Sequence, residues 1–254
     1  MPASTPSIRC FARPGAWGES AITLDAAESH HLLRVLRARG GQAVEALDGQ
    51  GRRAEAYIEH ATRQGATLRI ARVTRLQRPC PGVVLAPALV KKGAFEALAQ
   101  KAIELGVEEL MPVISARTVA REPPGAAGGR TARRFQALAM AALKQSGHAW
   151  LPDISPPCDW THLLDRIRTG PEICCYGSLE PGAPALKDWL RQWATPPERL
   201  MLCVGPEGDY TPAEWEALRE SGAAPVGLGE QVLRVDTAAL FMLAAVRYEY
   251  ARTG

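Results

Sequence analysis

Apolar and polar positions alternate on both sides of Asp48-Gly49, in AVEALDG (43–49) and RAEAYIEH (53–60). A period of two broken by Asp-Gly predicts a β-hairpin, and with its neighbours a small β-rich front domain over residues 1–77. TRLQRPCPG (Thr74–Gly82) then places two prolines and a glycine in a row, which reads as a linker. Beyond it the period changes. VVLAPALV (83–90) predicts a buried strand, followed by a helix with Phe95, Leu98, Ala102 and Leu105 on one stripe and Gly106 as its stop. A strand around Leu110 to Ile114, a Pro/Gly-rich loop at Glu122–Gly129 and a helix presenting Phe135, Leu138, Ala139, Ala142 and Leu143 come next. EICCYGS (172–178), RLMLCVG (199–205) and APVGLG (224–229) read as further strands, before a last helix from Thr237 to Arg252 that is apolar nearly all round. Such a helix needs cover from the sheet or from another subunit. Strands alternating with amphipathic helices predict an α/β domain with a mostly parallel sheet over residues 78–254.

Composition changes this picture little. The length of 254 residues suits one large domain or two smaller ones, and the change of period favours two. With 46% hydrophobic and 22% charged residues the chain reads as a soluble globular protein, which excludes disordered and fibrous classes. MPASTPSIRC lacks the apolar core of a signal peptide and no apolar run reaches the length of a membrane span, so a cytoplasmic protein with no membrane partner is expected. The six cysteines (Cys10, Cys80, Cys158, Cys174, Cys175, Cys203) show no C-x-x-C pair and no His/Cys ligand spacing, so neither a disulfide framework nor a metal is expected. Charge is uneven. Residues 1–78 carry 12 Arg and 7 acids, a net +5, whereas residues 79–254 net −2. The basic front end reads either as a face for a polyanion or as ordinary solvated surface.

The densest chemistry lies in LCVGPEGDYTP (202–212), where a buried strand breaks into Gly-Pro-Glu-Gly. Thr211 and Glu214 form a T-x-x-E capping box with Pro212 at the first helical position, and Tyr210 and Trp215 are spaced to staple across the cap. The turn therefore joins strand to helix at a carboxyl strand end, where open α/β sheets bind ligands. It matches neither the dinucleotide fingerprint nor the P-loop. Pro206 removes one N–H donor, and Glu207 and Asp209 would repel an anion. The loop suits an uncharged or cationic ligand, unless it is only a tight turn with solvated acids. A second glycine loop follows in VGLGEQVLRVDTAAL (226–240), with Arg234 between Leu233 and Val235. An arginine in such a run must find water, an acid or a substrate, and Asp236 or Glu207 would serve as a structural partner.

GPEG, LGEQVLRVDTAAL, KKGAFEALAQKAIELGV (91–107) and KQSGH (144–148) together resemble the bacterial 16S ribosomal RNA uridine-N3 methyltransferases of the SPOUT class. HHLLRVLRARGGQAVEALDGQG (30–51) is similar to that family's small PUA-like β domain, so the resemblance spans nearly the whole chain. It implies a parallel sheet flanked by helices with a carboxyl-terminal trefoil knot, S-adenosylmethionine as cofactor, and 16S rRNA in the 30S subunit as partner. It also implies a homodimer. By position, the cofactor pocket would be lined by Tyr176 and Gly177, by Gly205, Pro206, Glu207 and Gly208, and by Leu228, Gly229, Val232, Leu233 and Arg234. Arg234 would support negative charge on the uracil carbonyls, with Glu207, or less readily Asp236, relaying the proton. Arg9, Arg34, Arg37, Arg39, Lys91, Lys92, Lys144 and Gln145 are the candidate RNA contacts, while His30 and His31 read as surface residues. The chain departs from the family pattern at Asp209, Asp236, Lys144, His148 and Tyr176-Gly177. Rival readings are a ribose 2′-hydroxyl methyltransferase of the same class and a non-catalytic ribosome-assembly protein that binds RNA.

Overall fold

The computed structural model describes residues 8–62, 65–119 and 129–251. They form two compact units, one comprising the residues up to Arg78 with Met140–Leu151, the other Pro79–Ala139 and the residues from Pro152 onward. A single break near residue 78 did not anticipate that Met140–Leu151 groups with the front unit.

The front unit contains β1 (Arg9–Phe11), β2 (Ala21–Thr23), α1 (Ala26–His30), β3 (Ala43–Leu47), β4 (Arg52–Ala61) and β5 (Ala66–Arg75). Its five-stranded sheet has the order β1-β3-β4-β5-β2. The β1–β3 pairing is parallel and the others are antiparallel. The hairpin stands where the alternation placed it. Asp48 organises it, its Oδ1 accepting the N–H groups of Gln50 (2.7 Å) and Arg52 (2.9 Å). Ile22, Leu32, Val44, Ile58 and Leu68 fill the core beneath the sheet. The Met140–Leu151 segment docks on the hairpin turn: Leu143 and Ala149 pack with Leu47, and Gly51 N–H donates to Ala149 O at 2.9 Å. His30 closes α1 and His31 opens a π-helical turn that runs to Val35.

The second unit contributes β6 (Gly82–Pro87), α2 (Lys92–Glu104), β7 (Glu109–Leu110), β8 (Val113–Ile114), α3 (Gly129–Ser146, whose last turns belong to the front unit), β9 (Asp153–Ile154) and β10 (Cys158–Asp159). Then come α4 (Trp160–Thr169), β11 (Ile173–Gly177), α5 (Leu186–Leu190), β12 (Arg199–Val204), α6 (Pro212–Glu220), β13 (Ala224–Val226) and α7 (Val235–Glu249). Six strands form one parallel sheet in the order β13-β11-β12-β6-β7-β9. The central strands β6 and β12 are buried on both faces, which is why they appear in the sequence as unbroken apolar runs.

The expected strand from Leu110 to Ile114 is split. Pro112 cannot donate to a ladder, so β7 stays in the large sheet while β8 pairs with β10 in a separate one. The expected loop at Glu122–Gly129 falls almost wholly outside the described residues. The final helix covers β6 and β12 and packs on α2 and α5. Its Arg247 donates to the carbonyls of Leu105, Gly106 and Pro81, supplying the partners that the end of α2 lacks. Phe241 and Tyr248 on α7 stay exposed. Among the described residues no helix is long and apolar enough to cross a membrane, and no His/Cys/Asp/Glu group could hold a metal ion.

Candidate active site at the carboxyl ends of the strands

At Val204 the chain leaves β12 and must turn into α6 within seven residues. The helix end is fixed by the expected capping box: Thr211 Oγ1 accepts Glu214 N–H (3.2 Å) and Glu214 Oε2 accepts Thr211 N–H (2.8 Å). Tyr210 anchors the cap from within, fully buried, its ring 5.5 Å from that of Trp160 and 6.2 Å from that of Tyr176. Between these anchors Asp209 takes φ +58, a left-handed conformation in which Asp is among the few tolerated side chains other than hydrogen. Glycine would take the same conformation without that cost. Asp209 Oδ1 accepts the Tyr210 N–H at 2.7 Å, whereas Oδ2 and Trp215 Nε1 are buried without a hydrogen bond of normal geometry. Burial pushes the Asp209 carboxyl above the usual carboxylate range, against the lowering effect of the Tyr210 N–H and the Arg117 charge.

Two clefts flank this turn. The first is lined by Gly177, Ser178 and Leu179 after β11, by Val204 to Glu207 and Asp209 after β12, and by Leu228, Gly229 and Gln231 to Leu233 after β13, with Ala238 of α7. It offers apolar walls, backbone groups and two carboxylates but no basic side chain, which suits a neutral ring joined to a cation and disfavours phosphate. The second, the roomier of the two, is lined by Leu89, Val90, Lys91, Ala94, Arg117, Val119, Arg234, Val235 and Asp236. Pro206 and Glu207 belong to both linings, so Glu207 stands on the shared wall.

Eight of the expected cofactor residues meet in the first cleft: Gly177, Gly205, Pro206, Glu207, Leu228, Gly229, Val232 and Leu233. Three do not. Tyr176 is fully buried in the core, its hydroxyl donating to Glu180 (3.2 Å) and pushed up to about 12 by burial and by that carboxylate. It fails to line the cleft because successive strand residues face opposite sides. Gly208 lies behind the turn, its carbonyl accepting from Arg117 at 2.5 Å. Arg234 lines the second cleft. It is the N-cap residue of α7, 75% exposed at the side chain and 3.9 Å from Asp236, so the structural pairing foreseen for it exists but is loose.

The RNA candidates divide in the same way. Lys144 is paired with Glu28 (2.9 Å), and Arg9 is held by Glu45 (2.8 Å) and by the carbonyls of Lys144 and Gln145. Both are engaged within the front unit, with Glu28 and Glu45 lying mostly buried beside them. Gln145, Arg34, Arg37 and Arg39 are exposed. Lys91 lines the second cleft, and nothing is described of the Lys92 side chain. Sequence reasoning missed Ser178, Gln231, Ala238 and Arg117. Gln231 and Ala238 stand within VGLGEQVLRVDTAAL and Ser178 closes EICCYGS, so those stretches pointed to them without singling them out, whereas Arg117 belongs to no such stretch and reaches the site only because distant loops meet.

Two family models match the chain, one after the other along its length. A model for an RNA methyltransferase domain fits residues 76–247, and one for an RNA methyltransferase PUA domain fits residues 24–71. Ribosomal RNA small subunit methyltransferase E of Synechocystis sp. is 31% identical over 231 residues, 90% of this chain and 73% of that protein. The protein of the same name from Mycobacterium bovis is 33% identical over 227 residues, 88% of this chain and 84% of the relative. Among solved structures, a candidate methyltransferase from Legionella pneumophila, in complex with the bound cofactor SAM, superposes with a TM-score of 0.82 at 25% identity, covering 97% of this chain and 98% of that one.

Proposed function

Because the chain belongs to the ribosomal RNA small subunit methyltransferase E family of RNA methyltransferases, we propose that it methylates N3 of a uridine in 16S ribosomal RNA of the small ribosomal subunit, using S-adenosylmethionine. The observation that carries this reading is the pair of clefts sharing Pro206 and Glu207 at the carboxyl ends of β11 and β12.

The first cleft fits the cofactor. A Cβ at Gly177 would lie 3.3 Å from Leu228 Cδ1, and one at Gly205 3.1 Å from Asp209 Oδ1, so both glycines keep bare backbone at its surface. Leu228, Val232 and Leu233 supply the apolar slot that an adenine ring needs, and the carboxylates of Glu207 and Asp209 are compatible with a cation. When bound, S-adenosylmethionine supplies a methyl group on a positively charged sulfur that is itself a good leaving group. The chain's own residues deal with the acceptor. Uridine N3 carries an imide proton, and Glu207 on the shared wall is placed to take it. Arg234 and Lys91 hold the uracil carbonyls and stabilise the negative charge they gain. Glu207 and Asp236 keep the second cleft from being uniformly cationic, so it retains a base as well as a phosphate.

Uridine N3 is hidden in paired RNA, so the target nucleotide is unpaired or turned out, at a cost of about a few kcal/mol. The exposed Arg34, Arg37 and Arg39 of the front unit supply phosphate contacts that offset it. The protein works in the cytoplasm, where ribosomes are made. It acts as a homodimer in this reading, the exposed Phe241 and Tyr248 of α7 meeting a second copy; a monomer by sedimentation at micromolar concentration would remove that element. The deciding experiment incubates the protein with labelled S-adenosylmethionine and 30S subunits lacking the modification, then digests the RNA to nucleosides. N3-methyluridine is expected. A ribose-methylated nucleoside, or no labelled product, overturns the reading.

A further inference from the structure

Between β8 and α3 the chain makes a tight turn at Ser115–Thr118, closed by Ser115 N–H donating to Thr118 Oγ1 (2.9 Å) and Thr118 N–H donating to Ser115 O (3.1 Å). Two bonds tie this turn to the loop before α6. Ala116 N–H donates to Glu214 Oε1 (2.8 Å), the carboxylate whose other oxygen caps α6, and Arg117 Nη1 donates to Gly208 O. Glu214 is 7% exposed, so the first bond is shielded from water and fixes the turn firmly.

The guanidinium of Arg117 is thereby aimed by a backbone carbonyl rather than neutralised by an acid. It forms no ion pair among the described residues, is exposed, and lines the second cleft beside Glu207 and Arg234. With one N–H on Gly208, its remaining donors meet no hydrogen-bond partner among the described residues, and a guanidinium fork matches the geometry of a phosphate better than any other side chain does. Phosphate oxygens also receive most of the hydrogen bonds that position a nucleic acid on a protein.

We propose that Arg117 is a positioning residue for the RNA: it binds a backbone phosphate beside the target nucleotide while holding, through Gly208, the turn that walls the cofactor cleft. This extends the methyltransferase reading above and rests on it. RNA that reaches the second cleft would then stiffen the Gly205–Asp209 turn, coupling acceptor binding to the shape of the donor cleft.

The test uses the full-length protein with Arg117→Ala and Arg117→Lys, 30S subunits lacking the modification, and S-adenosylhomocysteine in the binding assays. For Arg117→Ala, KM for the subunits rises about tenfold and the slope of log K against log salt flattens by about 0.7, the value for one lost contact to a single strand. Cofactor affinity stays within about twofold, because the capping box still holds the turn. Arg117→Lys restores the salt slope but leaves KM raised, since an ammonium keeps the charge and loses the fork. An unchanged salt slope in Arg117→Ala overturns the proposal, as does a loss confined to stability and cofactor affinity, which would make Arg117 a brace only. If the wild-type protein transfers no methyl group yet Arg117→Ala still flattens the slope, the phosphate contact stands and the methyltransferase reading falls.

Discussion

The two ends of the large parallel sheet use the same residue types to opposite effect. At the amino end, Arg166 reaches Glu172 (2.8 Å) and Glu109 (3.0 Å), and Arg199 reaches Glu172 (3.0 Å) and Glu108 (3.4 Å). The Glu172 side chain is 1% exposed. Burial alone would raise its carboxyl, but the hydrogen bonds and charge of Arg166, with the charge of Arg199, outweigh that and hold it below the usual range. At the carboxyl end, the Arg234–Asp236 pair is 3.9 Å apart, with side chains 75% and 41% exposed, and Arg117 is oriented by a carbonyl. Charges that satisfy one another lock a fold, whereas charges left loosely paired at the rim of a cleft are available to a ligand. The backbone follows the same rule. The carboxyl end carries a left-handed Asp209 and a buried carboxylate oxygen without a regular hydrogen bond, the kind of local strain that persists where a site needs it.

The largest effect should come from breaking the locked end. Glu172→Ala leaves Arg166 and Arg199 facing each other without their shared carboxylate, and should cost about 3 kcal/mol of stability, read from urea denaturation. The pH sense follows from the depressed carboxyl. Its contribution is present above the carboxyl's unfolded value and is lost as pH falls through the lower folded value, so the variant should show less acid-dependent loss of stability than the wild type. Equal acid sensitivity in the two proteins would mean that the network is not what locks this end.

Arg234→Ala tests the open end. It should leave the denaturation midpoint nearly unchanged, because its pair with Asp236 is exposed, yet lower kcat by about 100-fold if it stabilises charge on the acceptor base. Normal turnover with intact cofactor affinity would assign that task elsewhere.

The smallest effect should be at Asp209. Asp209→Gly removes both the left-handed strain and the buried carboxylate, and should stabilise by about 1 kcal/mol at neutral pH. A carboxyl raised in the folded state favours folding when protonated and loses that advantage as pH rises through its folded value. The gain from Asp209→Gly should therefore shrink as pH is lowered toward the carboxylate range, as thermal melts at several pH values would register. A constant gain would assign it to backbone strain alone.

Much of this was legible in the order of residues because the governing interactions are local. The Asp48-Gly49 hairpin, the capping box at Thr211 and Glu214, the buried runs of β6 and β12 and the glycine turn at Gly205–Gly208 each depend on neighbours within a few positions. Periodicity and capping chemistry therefore named eight of the residues that line the first cleft. Tyr176 lies one step of the strand period from the cleft wall, which places it in the core. The pairing of Lys144 and Arg9 was not legible because Glu28 and Glu45 lie far from them in the chain, and no sequence pattern marks them. Only the packed sheet decided that Arg117 meets Gly208 across 91 positions, that Arg234 faces a second cleft, and that Glu207 stands between the two. Local sequence sets the conformation of each loop, but which loops face one another is fixed by strand order, and that order follows from burying the apolar faces of the whole domain at once.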